Sequence, residues 1–155
     1  MDKRTSKNDY YFSLAEANSR RGTCLRRNFG AIIERDDVVL SMGYSGAPRG
    51  RLNCCDVGTC LREELKVPSG ERYELCRSVH AEMNAVINAA TSGTNVSGGD
   101  MYIFGWDMKK NELFDAYACK MCKRIIINAK LKKVHARTRE GDVIWNVDDW
   151  MQEKE

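Results

Sequence analysis

The chain has no run approaching the roughly 20 apolar residues that cross a bilayer, no internal repeat and no low-complexity tract. The first absence excludes an α-helical membrane span, and the second excludes a repeat array. Behind Met1-Asp2-Lys3-Arg4-Thr5 there is no apolar segment, so a secretory signal is not expected and the expected location is cytoplasmic. Charge is nearly balanced, 25 Lys and Arg against 22 Asp and Glu, giving a net +3. That excess is too small to argue for a nucleic-acid partner. Histidine is scarce, with only His80 and His135.

What is present is an ordinary globular composition, 43% hydrophobic and 30% charged over 155 residues. This length suits one domain spanning residues 1–155. Seven cysteines, an odd number without a secretory signal, argue against a disulfide framework. Reduced thiols more often bind metal or do chemistry.

Hydrophobic spacing predicts an amphipathic helix over 10–21, with Tyr11, Leu14, Ala15 and Asn18 on one stripe. Strands are expected at 30–34 and 38–44, joined by a turn at Asp36-Asp37. Residues 45–77 are rich in Gly, Pro, Cys and charge, with one short helix candidate at 61–66. A loop this long should be functional or held by something. A helix over 80–90 follows, with Ser78 as N-cap and Met83, Val86, Ile87 and Ala90 on one face. Next come a strand at 101–104, a helix at 120–129 with Met121 and Ile125 inward, a strand at 131–136 and a closing helix at 147–152. A hairpin followed by helix-strand alternation implies a mixed sheet sandwiched by helices.

The chemistry concentrates in His80-Ala81-Glu82 and Cys119-Lys120-Met121-Cys122. Two thiolates and one imidazole can hold Zn²⁺ and leave its fourth position open, whereas structural zinc sites close with four protein ligands. The spacing of Cys119 and Cys122 puts both sulfurs at the first turn of a helix, where the dipole and the metal favour thiolate. His80 opens the other helix, so the metal would pin two helix N-termini together. Water on such an ion can approach a pKa of about 7. Glu82 lies too near His80 along the chain to ligate the same ion, and is suited to move a proton. The bland alternative is a structural zinc with a glutamate nearby.

H-x-E with a later C-x-x-C is the pattern of zinc nucleobase deaminases, in which proline usually precedes the first cysteine. Here Ala118 stands in its place. Three further stretches resemble deoxycytidylate (dCMP) deaminases: Arg21 through Ile33, Gly43-Tyr44-Ser45-Gly46-Ala47-Pro48, and Pro68 through Glu82. The likeness covers about residues 10–137. It implies a three-layer α/β/α cytidine deaminase-like fold with a central mixed sheet. It also implies hydrolysis of dCMP to dUMP with release of ammonia, a homo-oligomer, and dCTP and dTTP as effectors. By carry-over, His80, Cys119 and Cys122 ligate the catalytic zinc and Glu82 shuttles protons. Arg26, Asn28 and Ala81 fall where relatives contact the nucleotide. Some members carry a second, structural zinc, and here Cys24, Cys54, Cys60 and Cys76 are its candidate ligands, with Cys55 able to replace Cys54.

The 14 residues from Gly105 to Ala118 form a longer approach to the first zinc cysteine than the family commonly carries. Trp106, Phe114 and Tyr117 in it could stack on a base at the pocket mouth, or pack on a neighbouring subunit. His135 reads as structural or exposed. Lys120, Lys123, Arg124, Lys130, Lys132 and Lys133 read as the polar face of a surface helix and its flank. Two other functions fit the same motif: a deaminase of another cytosine nucleotide, nucleoside or base, and an inert zinc-binding accessory module.

Overall fold

The computed structural model describes residues 4–154; the expectation resting on Met1-Asp2-Lys3 lies outside them. Six strands form one sheet: β1 (Arg27–Arg35), β2 (Val38–Tyr44), β3 (Asp100–Asp107), β4 (Glu112–Phe114), β5 (Lys133–Thr138) and β6 (Gly141–Asn146). The order is β2-β1-β3-β5-β6, with β4 on the end of β3 beyond β5. Only the β3–β5 pairing is parallel, so the sheet is mixed.

Alternation along β1 and β3 divides the core between two faces. Ile32, Tyr102 and Phe104 meet Tyr11, Phe12 and Ala15 of α1 (Lys7–Ser19). Ala31, Ile33, Met101 and Ile103 meet α4 (Ala81–Ser92) and α5 (Lys120–Asn128) on the opposite face. The result is the expected α/β/α sandwich. In α1, Ser6 caps the start by accepting the Asp9 N–H, and Asn18 leaves the apolar stripe to donate to the Gly43 carbonyl at 2.5 Å.

The hairpin at 36–37 is present, with both aspartates at positive φ (52° and 63°), as a tight two-residue connection requires. Two strands escaped the pattern reading. β4 is three residues long, and β6 is an exposed edge whose alternation buries little. The 45–77 region contains α2 (Cys54–Val57), α3 (Leu61–Glu64) and a 3₁₀ turn at Tyr73–Leu75, elements too short for a periodic signal. The closing helix is one turn, α6 (Val147–Trp150).

The inward face of α4 is not the expected one. Ala81, Glu82, Ala85 and Ala89 are buried, Met83 and Val86 pack half-buried at the margin of the core, and Ile87 is 44% exposed. Small residues win because the helix lies almost on the β2 backbone. A Cβ added at Gly43 would stand 2.3 Å from the Ala85 nitrogen and 2.4 Å from the Ala81 carbonyl oxygen. In α5 the inward residues are Cys122 and Ile126, one step on from Met121 and Ile125. That step turns Cys122 into the site.

Candidate metal and catalytic centre

Two helix starts build the site. His80 is the N-cap of α4, replacing the expected Ser78, whose hydroxyl is buried without a partner. Cys119 is the N-cap of α5, its sulfur accepting the N–H of Cys122. Capping places each side chain at the positive end of its helix, where thiolate is favoured. Ala118 serves before Cys119 without loss of this turn.

The Nδ1 of His80 lies 3.5 Å from the Cys119 sulfur and 3.4 Å from the Cys122 sulfur. Zinc bonds of about 2.3 Å to sulfur and 2.0–2.1 Å to nitrogen at tetrahedral angles would separate S and N by about 3.6 Å. The three donors therefore fit zinc. Among the described residues they are the one group of three or more His, Cys, Asp or Glu whose ligand atoms all lie within 4.8 Å.

The same geometry polarises the groups. A hydrogen bond from Cys122, working against burial and helped by His80 and the Cys122 N–H, holds the Cys119 thiol down to about 4. The bond to Cys119 and burial push Cys122 up. Burial opposes charge on His80, but the Cys119 thiolate and Glu82 lift its pKa overall. Glu82, in the first turn of α4 and 5% exposed, has its carboxyl raised by burial against the pull of His80. Tyr73 packs edge-on against the His80 ring at 4.9 Å and fixes its plane.

His80, Glu82 and Cys119 open onto one cavity, with Ala81 and Arg26 also in its wall. Asn28 is elsewhere: it is 4% exposed, and its side-chain oxygen accepts the N–H of Cys24 at 2.9 Å. Of the insertion's aromatics, Phe114 and Tyr117 line the cavity, whereas Trp106 stacks with Phe104 on the α1 side. Arg27, Arg62 and Tyr73 also face the cavity, and the sequence reading missed all three. They arrive from a strand entry, the one-turn helix α3 and a 3₁₀ turn, each too short for periodicity to mark which side chain points in.

Cys24, Cys60 and Cys76 also line that cavity. Cys54 is buried, its thiol raised by burial and then by Cys24, Cys76 and Cys60. Cys55 is exposed. Electrostatic contact thus links Cys54, not Cys55, with the other three, although the four are not drawn together to ligand distance. His135 is structural: Nε2 bonds Asp100 at 2.9 Å and the ring stacks on Tyr102 at 4.2 Å. In the basic cluster, Lys123 pairs with Glu153 and lies over the Trp150 ring.

An α/β/α sandwich carrying a His-Cys-Cys trio and a buried glutamate at two helix starts defines a cytidine deaminase-like zinc-site protein. Residues 5–138 match the family model described as the cytidine and deoxycytidylate deaminase zinc-binding region, and the chain belongs to that family. ComE operon protein 2 of Bacillus subtilis is 29% identical over 132 residues, covering 85% of this chain and 59% of that protein. The deoxycytidylate deaminase of Schizosaccharomyces pombe is 34% identical over 86 residues, 56% of this chain and 26% of its own length. The chain therefore spans less than two thirds of either relative. The crystal structure of a dCMP deaminase from cyanophage S-TIM5 superposes with a TM-score of 0.59 at 25% identity, covering 85% of this chain and 82% of that one. The cytidine deaminase of Burkholderia pseudomallei shares the fold, with a TM-score of 0.61 at 14% identity over 94% of this chain and 95% of its own.

Proposed function

We propose that this chain is a zinc-dependent aminohydrolase that converts dCMP and water to dUMP and ammonia. The observation that carries the reading is Glu82, buried beside the His80, Cys119 and Cys122 donors and lining one cavity with His80 and Cys119. When bound there, zinc would supply an acidified water as the nucleophile for C4 of the base. The chain's own part is proton traffic and positioning. A carboxyl raised by burial takes a proton readily and gives it up to N3 and then to the leaving amine. Tyr73 packs edge-on against the His80 ring and steadies it. Deoxycytidylate deaminases of Schizosaccharomyces pombe and phage T4 among the relatives support the choice of substrate.

The test is ammonia release from dCMP, dCTP, deoxycytidine and cytidine. Preference for dCMP is expected. Preference for another of the four reassigns the substrate, and silence on all four would favour an inert zinc-binding module.

Cys24, Cys54, Cys60 and Cys76 belong to the proposal as ligands of a second, structural zinc that pins the 45–77 loop. Their mutual electrostatic contact and the exposure of Cys55 support this set. Metal analysis should then find about two zinc ions per chain; about one removes the second site. A single domain, a cytoplasmic location, homo-oligomerisation and response to dCTP and dTTP complete the proposal. Sedimentation, and rates with each triphosphate added, test the last two. No helix among the described residues is long and apolar enough to cross a membrane.

A further inference from the structure

Two arginines in the wall of the catalytic cavity converge on one turn of the chain. Arg27, at the start of β1, donates to the Ser69 hydroxyl at 3.2 Å. Arg62 donates to the carbonyls of Pro68 and Glu71 on either side, at 3.0 and 2.6 Å. Arg62 is 8% exposed, and its Nε is fully buried with no hydrogen-bond partner. Among the described residues neither guanidinium forms an ion pair. Glu74, Cys76 and Asp107 feel the two charges and the Tyr73 ring lies 5.0 Å from the Arg62 guanidinium carbon, but Glu74 is held by Arg72, and Asp107 accepts the Lys109 and Lys110 N–H groups. Arg26 differs, because its Nε is answered by Glu63 at 3.3 Å.

A buried cation with an unanswered donor costs free energy unless something anionic completes it. The insertion supplies the rest of the arrangement. Phe114 of β4 lies under the Arg27 guanidinium, 4.0 Å from ring centroid to carbon, and is itself braced edge-on by Phe29 at 5.9 Å. An aromatic face holds a guanidinium in one plane while leaving its N–H edges free. Those edges match the oxygens of a phosphate.

We propose that the β3–β4 hairpin, through Phe114, sets Arg27 beside the buried Arg62 to form the phosphate-recognition end of the catalytic cavity, which takes the 5′-monophosphate of the substrate nucleotide. The inference rests on the deaminase reading and deepens it. Arg27 and Arg62 would be specificity-determining residues, and Phe114 a positioning residue acting through Arg27.

The experiment compares kcat/KM for dCMP and for deoxycytidine in the zinc-loaded wild type, Arg27→Gln, Arg62→Lys, Phe114→Ala and Phe114→Tyr. Losing a charge-assisted contact should lower the dCMP-to-deoxycytidine ratio roughly ten- to hundredfold in Arg27→Gln. Phe114→Ala should move it the same way, and Phe114→Tyr should restore it. Because Arg62 also holds a loop, Arg27→Gln decides the matter if Arg62→Lys fails to fold. An unchanged ratio in Arg27→Gln overturns the proposal. Calorimetric titration with dCMP and with inorganic phosphate separates this outcome from failure of the deaminase reading. If the wild type turns over neither compound yet binds inorganic phosphate, and Arg27→Gln does not, the subsite stands and the deaminase reading falls. If the wild type turns over neither and binds neither phosphate nor dCMP, or if Arg27→Gln binds them as tightly, the subsite falls.

Discussion

Glu82 and Glu34 are both carboxylates lifted by burial, and they carry opposite expectations. Glu82 stands in the first turn of α4 beside the metal donors. Its replacement by Gln should lower deaminase turnover by about 10²–10⁴-fold with zinc content unchanged, read by ammonia release and metal analysis on the same sample. Glu34 lies opposite Asp100 in the β1–β3 register, and its pKa is raised by burial first and then by that like charge. Folding therefore favours the protonated form. Its contribution is present below the ordinary carboxylate pKa and fades as pH rises through the raised one. Glu34→Gln should stabilise the protein at pH 7 by a few tenths of a kcal/mol after solvent screening, about 1 °C in Tm. The gain should vanish near pH 4, which thermal melts at the two pH values check. At this scale the sequence was most legible where chemistry restricts residue choice. His80, Glu82, Cys119 and Cys122 were all marked by spacing, and they do meet. Asn28 was misleading, because nothing in a chain pattern tells a nucleotide contact from a side chain holding the Cys24 N–H.

Among the elements, α4 matters most, since its distance from β2 sets the position of both His80 and Glu82. Gly43 is the residue that permits this approach. Gly43→Ala would press a methyl group against α4 backbone, which cannot swing aside as a flexible side chain can. The expected loss is about 1–3 kcal/mol, together with weaker zinc retention as α4 backs away from α5. Melting temperature and zinc per chain measure the two effects. The shifted face of α4 has the same cause: periodicity favours Met83, Val86 and Ile87 as the buried stripe, but alanines take the closest approach to β2, leaving Met83 and Val86 half-buried beside them and Ile87 outside. In α5 the one-step rotation puts Cys122 and Ile126 inside. Helix positions were more legible than helix faces or caps: α5 begins at Lys120 as expected, but His80 rather than Ser78 caps α4, because packing against distant elements decides both.

For the whole molecule, a metal at His80, Cys119 and Cys122 would tie the starts of α4 and α5 together on one face of the sheet. Stripping it with a chelator should lower Tm by several degrees, and restoring zinc should recover it, because a ligand bound only to the folded state adds its binding free energy to stability. Limited proteolysis of the same pair of samples should cut first within residues 45–77 if the four cysteines also hold metal. The sequence alone determined the layer architecture, the order of most elements and the identity of the candidate metal donors. Hydrophobic period, turn residues and ligand chemistry are short-range signals carried by neighbouring residues. Only tertiary structure decided that Arg27 and Arg62 reach one turn, that Phe114 braces Arg27, and that Cys54 rather than Cys55 faces Cys24, Cys60 and Cys76. Those relations join a strand entry, an irregular loop and a hairpin far apart along the chain. The direction of a side chain in such segments is set by packing against distant partners, for which no local pattern exists.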